Sequence, residues 1–206
     1  HLLAALAGCG LTHINIEVTG EEIPLLDGSA FEWVEAIKEA GIVKVKDAIK
    51  KTICLENPLI MHRGSSVISA IPSEKFKLIG IIDFPYKAIG RQMLEIDLTP
   101  DLFVNQIASA RTFGFKDQLE KLQDLGLIKG GGLNNALVCD GDHWLNPPLR
   151  FDDEPIRHKI LDLIGDLSLV GFPKAQILVY KGSHGLHTDL ASELLKSSIK
   201  NKPSID

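Results

Sequence analysis

The chain has 206 residues, 45% hydrophobic and 24% charged, with a formal net charge of −5. That composition supports a packed core, in one large domain or two small ones, and excludes disorder over most of the length. No apolar run approaches the roughly 18 residues of a helical membrane span, and Lys and Arg are dispersed rather than gathered into the basic footprint of a nucleic-acid binder.

The opening "HLLAALAGCG" has helical spacing at Leu2, Leu3, Leu6 and Ala7, with Gly8 and Gly10 as stops. It lacks the basic lead of a signal peptide and reads as a helix. A start at His1 without Met leads us to expect a fragment whose start has been cut away or left out. "LTHINIEV" alternates Ile14, Ile16 and Val18 and predicts a strand; "GEEIPLLDGSA" predicts a loop, in which Asp27 or Ser29 can cap the next helix. That helix, "FEWVEAIKEAG", carries Phe31, Val34 and Ile37 on one side and stops at Gly41.

From about Ala48 to Phe84 the pattern turns to short strands, among them "KTICLEN", "SSVISAI" and "FKLIGIIDF". "LEIDL", residues 94–98, predicts another strand, and "PDLFVNQIASA" a helix begun by Pro100. "FKDQLEKLQDLG" predicts a helix through Leu119, Leu122 and Leu125. "LNNALVCD" and "HWLNPPLRF" are strand-like, residues 157–170 a helix, "AQILVYKG" a strand and "HTDLASELLKSSIK" a closing helix before a frayed tail, "NKPSID". The order predicts an α+β fold of two units with a shift near residue 48. Cys9, Cys54 and Cys139 are far apart and in no C-x-x-C arrangement, which fits a reducing compartment and neither a disulfide framework nor a thiolate zinc site.

The chemistry concentrates in "RHKILDLIGD", residues 157–166. At roughly 100° per residue, His158, Asp162 and Asp166 share one narrow face with Lys159 at its margin, while Ile156, Ile160, Leu163, Ile164 and Leu167 cover the rest. A helix apolar over most of its surface is packed on several sides, and two carboxylates one turn apart repel unless a cation sits beside them. His158 and Asp162 form half of a zinc site, with a further ligand required from elsewhere. The alternative is an ordinary i, i+4 hydrogen bond with Arg157 and Lys159 neutralising the carboxylates. "SARTFGF" sets Arg111 and Thr112 beside two phenylalanines. "IKGGGLNN" is glycine-rich without the G-K-[ST] ending of a phosphate loop. "YKGSHGLH" puts Lys181, His184 and His187 just after a strand end.

"HLLAALAGCG", "EIPLLDGSA", "SARTFGF", "RHKILDLIGDLSLVG" and "YKGSH" together resemble, in order from His1 to about Leu195, the signature segments of the zinc-dependent UDP-3-O-acyl-N-acetylglucosamine deacetylases. The resemblance implies hydrolysis of an N-acetyl group in the committed step of lipid A synthesis, with Zn2+ bound by His1, His158 and Asp162. It implies that Asp166 hydrogen-bonds a catalytic His184 and that Thr112 steadies the reacting carbonyl oxygen. Lys159 and Lys181 would meet the substrate's charged groups, and Phe113 and Phe115 the sugar and acyl chain. The substrate would be a small UDP-linked acyl-glucosamine, with no nucleic acid and no membrane span.

The resemblance further implies two related domains, each with helices packed on a mixed β-sheet in a β-α-α-β sandwich. Residues 1–48 would be what remains of the N-terminal domain, and 49–206 the C-terminal one, with an acyl-passage insert at about 113–138. The family's general base is a glutamate just before the first zinc-binding histidine, and the chain begins at that histidine, so the expectation is an incomplete N-terminal domain and weak turnover. "KGSHGLHT" also departs from the commoner bacterial "KSGHALNN", which leaves His187 without a role. Outside the motifs the chain looks more like plant members, which are directed to mitochondria, with the bacterial cytoplasm as the alternative. A non-catalytic homologue that binds a UDP-sugar lipid or a partner is the competing reading.

Overall fold

A computed structural model describes residues 1–46, 52–118 and 132–200. In chain order the helices are α1 (Leu2–Gly8), α2 (Phe31–Ala40), α3 (Pro100–Gln106), α4 (Glu154–Leu167) and α5 (His184–Lys200). The strands are β1 (Ile53–Cys54), β2 (Leu59–Arg63), β3 (Ser66–Pro72), β4 (Lys77–Asp83), β5 (Arg91–Asp97), β6 (Phe113–Phe115), β7 (Leu137–Asp140), β8 (His143–Trp144) and β9 (Pro173–Tyr180). The α+β class follows from this order.

Alternation in β9 buries Ala175, Ile177 and Val179 and exposes Lys174, which gives the strand one core face. It lies at the centre of a mixed sheet of order β2-β3-β9-β4-β5, antiparallel to β3 and parallel to β4, with β1 added parallel at its start through Ile53 and Pro173. A second mixed sheet has β7 between β6, parallel, and β8, antiparallel.

Helices α4 and α5 bury Ile160, Leu163, Ile164, Leu190 and Leu194 in one core with Ile68, Leu78 and Ile177 of the main sheet. Each such side chain contributes on the order of 1.5–3 kcal/mol. Gly80 of β4 lets α4 come close: a Cβ there would lie 2.7 Å from the Ile160 Cδ1 and 3.0 Å from that of Ile156. Small residues do the same on the other side of α4. Ala4 and Ala5 of α1 are fully buried, and a Cβ on Gly165 would lie 3.5 Å from the Ala4 nitrogen. This close crossing holds His1 over the polar face of α4.

Several expectations need correction. "LTHINIEV" forms no strand: Ile14, Ile16 and Val18 are about half exposed, and no described strand pairs with the segment. Alternation prepares a face, but a ladder needs a neighbour. β2 was not predicted, although the Gly64-Ser65 turn joining it to β3 is a hairpin signal. "HWLNPPLRF" yields only the two residues of β8, since Pro147 and Pro148 have no N–H to donate. The closing helix, expected from His187, begins one turn earlier, at His184. The 157–170 helix runs from Glu154 to Leu167. Ser29 Oγ does accept from the Phe31 N–H, although Ala30 occupies the cap position of α2. The helix expected through Leu119, Leu122 and Leu125, most of the acyl-passage insert, the first glycines of "IKGGGLNN", the 48/49 boundary and the tail lie outside the described residues.

Candidate metal centre

The polar stripe of α4 is buried as its apolar surroundings require: His158 is 2% and Asp162 8% exposed. His158 Nδ1 lies 3.0 Å from the carbonyl oxygen of Ala110. A carbonyl only accepts, so this nitrogen carries the proton and Nε2 presents its lone pair. That nitrogen faces Asp162 Oδ1 at 3.5 Å, and the His1 ring stands edge-on to the His158 ring with centroids 4.9 Å apart. His1, His158 and Asp162 each offer one ligand atom, all within 4.8 Å of one another.

Burial pushes the His158 pKa down, which keeps the imidazole neutral. Burial works in the opposite sense on Asp162, but the adjacent His158 ring and the charge and hydrogen bond of Lys159 outweigh it and hold the carboxyl at about 2. Two imidazoles and an ionised carboxylate, with the remote nitrogen of one ring already tied to a carbonyl, are the donor set and the support that a zinc ion takes. The residues present fit the metal.

Beside it, Asp166 Oδ2 accepts from two rings, His184 Nδ1 and His187 Nδ1, each at 2.8 Å. The hydrogen bond to Asp166 raises the His184 pKa above its ordinary value. A cavity of about 550 Å³ opens onto His1, Leu25, Asp162, Asp166 and His184.

The support beneath the site comes from Glu154, which is fully buried. Its carboxylate accepts from the Arg111 backbone N–H and Nε, both at 2.9 Å, and from the Arg150 N–H at 2.6 Å. Arg150 in turn donates to Asp27 Oδ2 at 2.7 Å and to the Ser109 carbonyl at 2.9 Å. These bonds fix residues 109–111, and with them the carbonyl that orients His158.

The remaining expected residues fall at different distances from this centre. Thr112 lies between Ala110 and Phe113, its backbone N–H donating to the Gly28 carbonyl at 2.7 Å. Phe113 meets the His158 ring edge-on at 6.4 Å, and Phe115 belongs to an apolar cluster with Ile82, Ile89, Cys139 and Ile156. Lys159 Nζ is 2.7 Å from Asp162 Oδ2. Lys181 sits in the left-handed region at φ 53° with its amine 3.3 Å from Asp83 Oδ2, turned to an ion pair rather than to the zinc-ligand cluster. Sequence reasoning missed Ala110 and Glu154. Any residue offers a carbonyl, and a lone glutamate at a helix start reads as a favourable first-turn charge.

A family model described as UDP-3-O-acyl N-acetylglycosamine deacetylase matches residues 1–196. The chain is 48% identical over 200 residues to the UDP-3-O-acyl-N-acetylglucosamine deacetylase of Thermosynechococcus vestitus, a match covering 97% of this chain and 69% of that protein. It is 51% identical over 205 residues to the protein of the same name from Nostoc sp., with coverage of 96% and 72%. Identity is 43% over 215 residues to the probable UDP-3-O-acyl-N-acetylglucosamine deacetylase 1, mitochondrial, of Arabidopsis thaliana, with coverage of 94% and 66%.

Proposed function

We propose, from the premise that this chain belongs to the UDP-3-O-acyl N-acetylglycosamine deacetylase family, that it hydrolyses the N-acetyl group of a UDP-linked 3-O-acyl-N-acetylglucosamine and releases acetate, the committed step of lipid A biosynthesis. The observation that carries this reading is the buried His158–Asp162 pair completed by His1, with His158 locked in the tautomer that frees Nε2. Zinc bound there would lower the pKa of a water toward about 7 and polarise the amide carbonyl.

The chain's own residues supply the rest of the reading. His184, which lines the cavity with its Nδ1 on Asp166 and its pKa raised by that bond, holds a proton at Nε2 and gives it to the departing amine. The Thr112 hydroxyl supports the oxyanion, a role typically worth about 3 kcal/mol. Phe113 and Phe115 line the sugar and acyl side, and Lys159 and Lys181 serve the charged groups. Residues 1–48, which carry α1 and α2, are what remains of the N-terminal unit and 49–206 the C-terminal α+β unit, with the acyl passage at about 113–138. The higher identity to the cyanobacterial proteins supports a bacterial cytoplasmic setting over a mitochondrial, plant-type one.

One observation favours the competing reading, a homologue that binds a UDP-sugar lipid without turning it over. Among the described residues the carboxylates lining the cavity are Asp162 and Asp166, and both are engaged, by Lys159 and by the two histidines. Neither is free to take a proton from water. Acetate release from a UDP-3-O-acyl-N-acetylglucosamine, measured with zinc content beside a His158→Ala variant, decides between the two. Turnover that disappears with the zinc supports the hydrolase; zinc and substrate bound without acetate release supports the binder.

A further inference from the structure

We infer that His187 is a positioning residue for the reaction proposed above, its Nδ1–H pinning the Asp166 carboxylate that orients His184. The inference rests on that reading for its effect on turnover, and on geometry alone for its effect on His184.

The two histidines differ in what holds them. The His184 side chain is 68% exposed, so its direction depends on the bond to Asp166. The His187 side chain is 1% exposed, and its ring fills the room left by Gly182: a Cβ on that glycine would collide with His187 Nε2 and lie 2.7 Å from Val179 Cγ2. His187 cannot turn away. Residues three apart on a helix share a face, so the first turn of α5 delivers both rings to one side of Asp166 on α4.

The proton positions follow from the acceptor. A carboxylate oxygen takes hydrogen bonds and gives none, so each Nδ1 that meets Asp166 Oδ2 at 2.8 Å carries its hydrogen. His187 Nε2 is then a buried nitrogen without a hydrogen-bond partner. Such a group is destabilising, and an apolar side chain would fill the space without that cost. What an apolar side chain cannot supply is the second donor on Asp166. With only the exposed His184 to hold it, the carboxylate would be free to rotate and the catalytic ring would lose its anchor.

The test compares two amides. In His187→Asn the side-chain nitrogen occupies the position of Nδ1 and keeps the donor; in His187→Gln the amide lies one bond further out, near the position of Nε2, and Asp166 loses it. In the zinc-free chain, nitrogen and proton NMR is expected to show a hydrogen-bonded His184 Nδ1–H in the parent and in His187→Asn, and its loss to exchange in His187→Gln. With zinc, kcat is expected to fall roughly 10-fold in His187→Gln, with KM changed less than about twofold and His187→Asn within about threefold of the parent.

Equal loss in both variants overturns the inference, as does an unchanged His184 Nδ1–H in His187→Gln. Should His187→Gln not fold, His187→Leu takes its place in the same comparison. If the parent chain releases no acetate, the hydrolase reading fails, and the NMR comparison still decides the role of His187.

Discussion

The Nδ1 of His158 lies 3.0 Å from the carbonyl oxygen of Ala110, 48 residues away in sequence, and this bond turns Nε2 toward Asp162. The ring is thereby oriented before any cation arrives. His158→Ala is expected to weaken zinc binding by on the order of 100-fold. Competition with a chelating indicator measures it, and an unchanged affinity would remove His158 from the ligand set. In the parent chain, free zinc at 100 times its dissociation constant should raise the unfolding free energy by about 2.7 kcal/mol. His158→Ala should lose most of that increment.

Glu154 should matter to stability more than any exposed ion pair. Fully buried, it accepts from Arg111 and from the Arg150 backbone. Glu154→Ala strands these donors and is expected to cost about 3–5 kcal/mol in urea unfolding. The Lys38–Glu35 pair, about half exposed, is the control: Glu35→Ala should cost under about 1 kcal/mol. Similar losses from the two would mean that Glu154 does not anchor residues 109–111.

The glycines at 28 and 80 should respond differently to alanine. At Gly80 the obstacles are the ends of Ile160 and Ile156, which can shift, so a cost of about 1–3 kcal/mol is expected. At Gly28, φ is 81° and a Cβ would collide with the Asn135 backbone carbonyl. Its own carbonyl accepts from the Thr112 N–H at 2.7 Å. Gly28→Ala should therefore unfold more easily than Gly80→Ala and also disturb the Thr112 segment. Thermal unfolding of both variants ranks them, and the reverse order would contradict the geometry.

What the sequence could reveal depended on whether a contact leaves a periodic trace. The stripe of His158, Asp162 and Asp166 and the apolar positions around it do, and α4 is legible within a few residues. So is β9, whose alternation survives in the burial pattern. "LTHINIEV" shows the limit: its alternation is as regular, yet pairing belongs to two strands and cannot be read from one. The support of the site leaves less trace still. Glu154 meets Arg111 across 43 residues and His158 meets a backbone carbonyl, so neither has a spacing to find. His187 could be noticed beside His184 but not given a task, because the oxygen that the two rings share belongs to another helix.

Asp27 provides a pH test at a distance from the metal ligands. Burial raises its pKa, but the hydrogen bonds from Arg150 and Ser29 and the charge of Arg150 prevail and hold it below the ordinary carboxylate value. The folded pKa thus lies under the unfolded one, so the pair's contribution is fully present above the unfolded value and is lost as pH falls through the folded value. Asp27→Asn is expected to cost about 1–2 kcal/mol at neutral pH, in the range for a charged hydrogen bond. The gap between parent and variant in urea unfolding should stay constant from neutral pH down to about 5, then narrow as the parent's carboxylate takes up its proton. A gap that widens in acid would mean that Asp27 is held in its protonated form in the fold, and that Arg150 anchors the Ser109 carbonyl without its help.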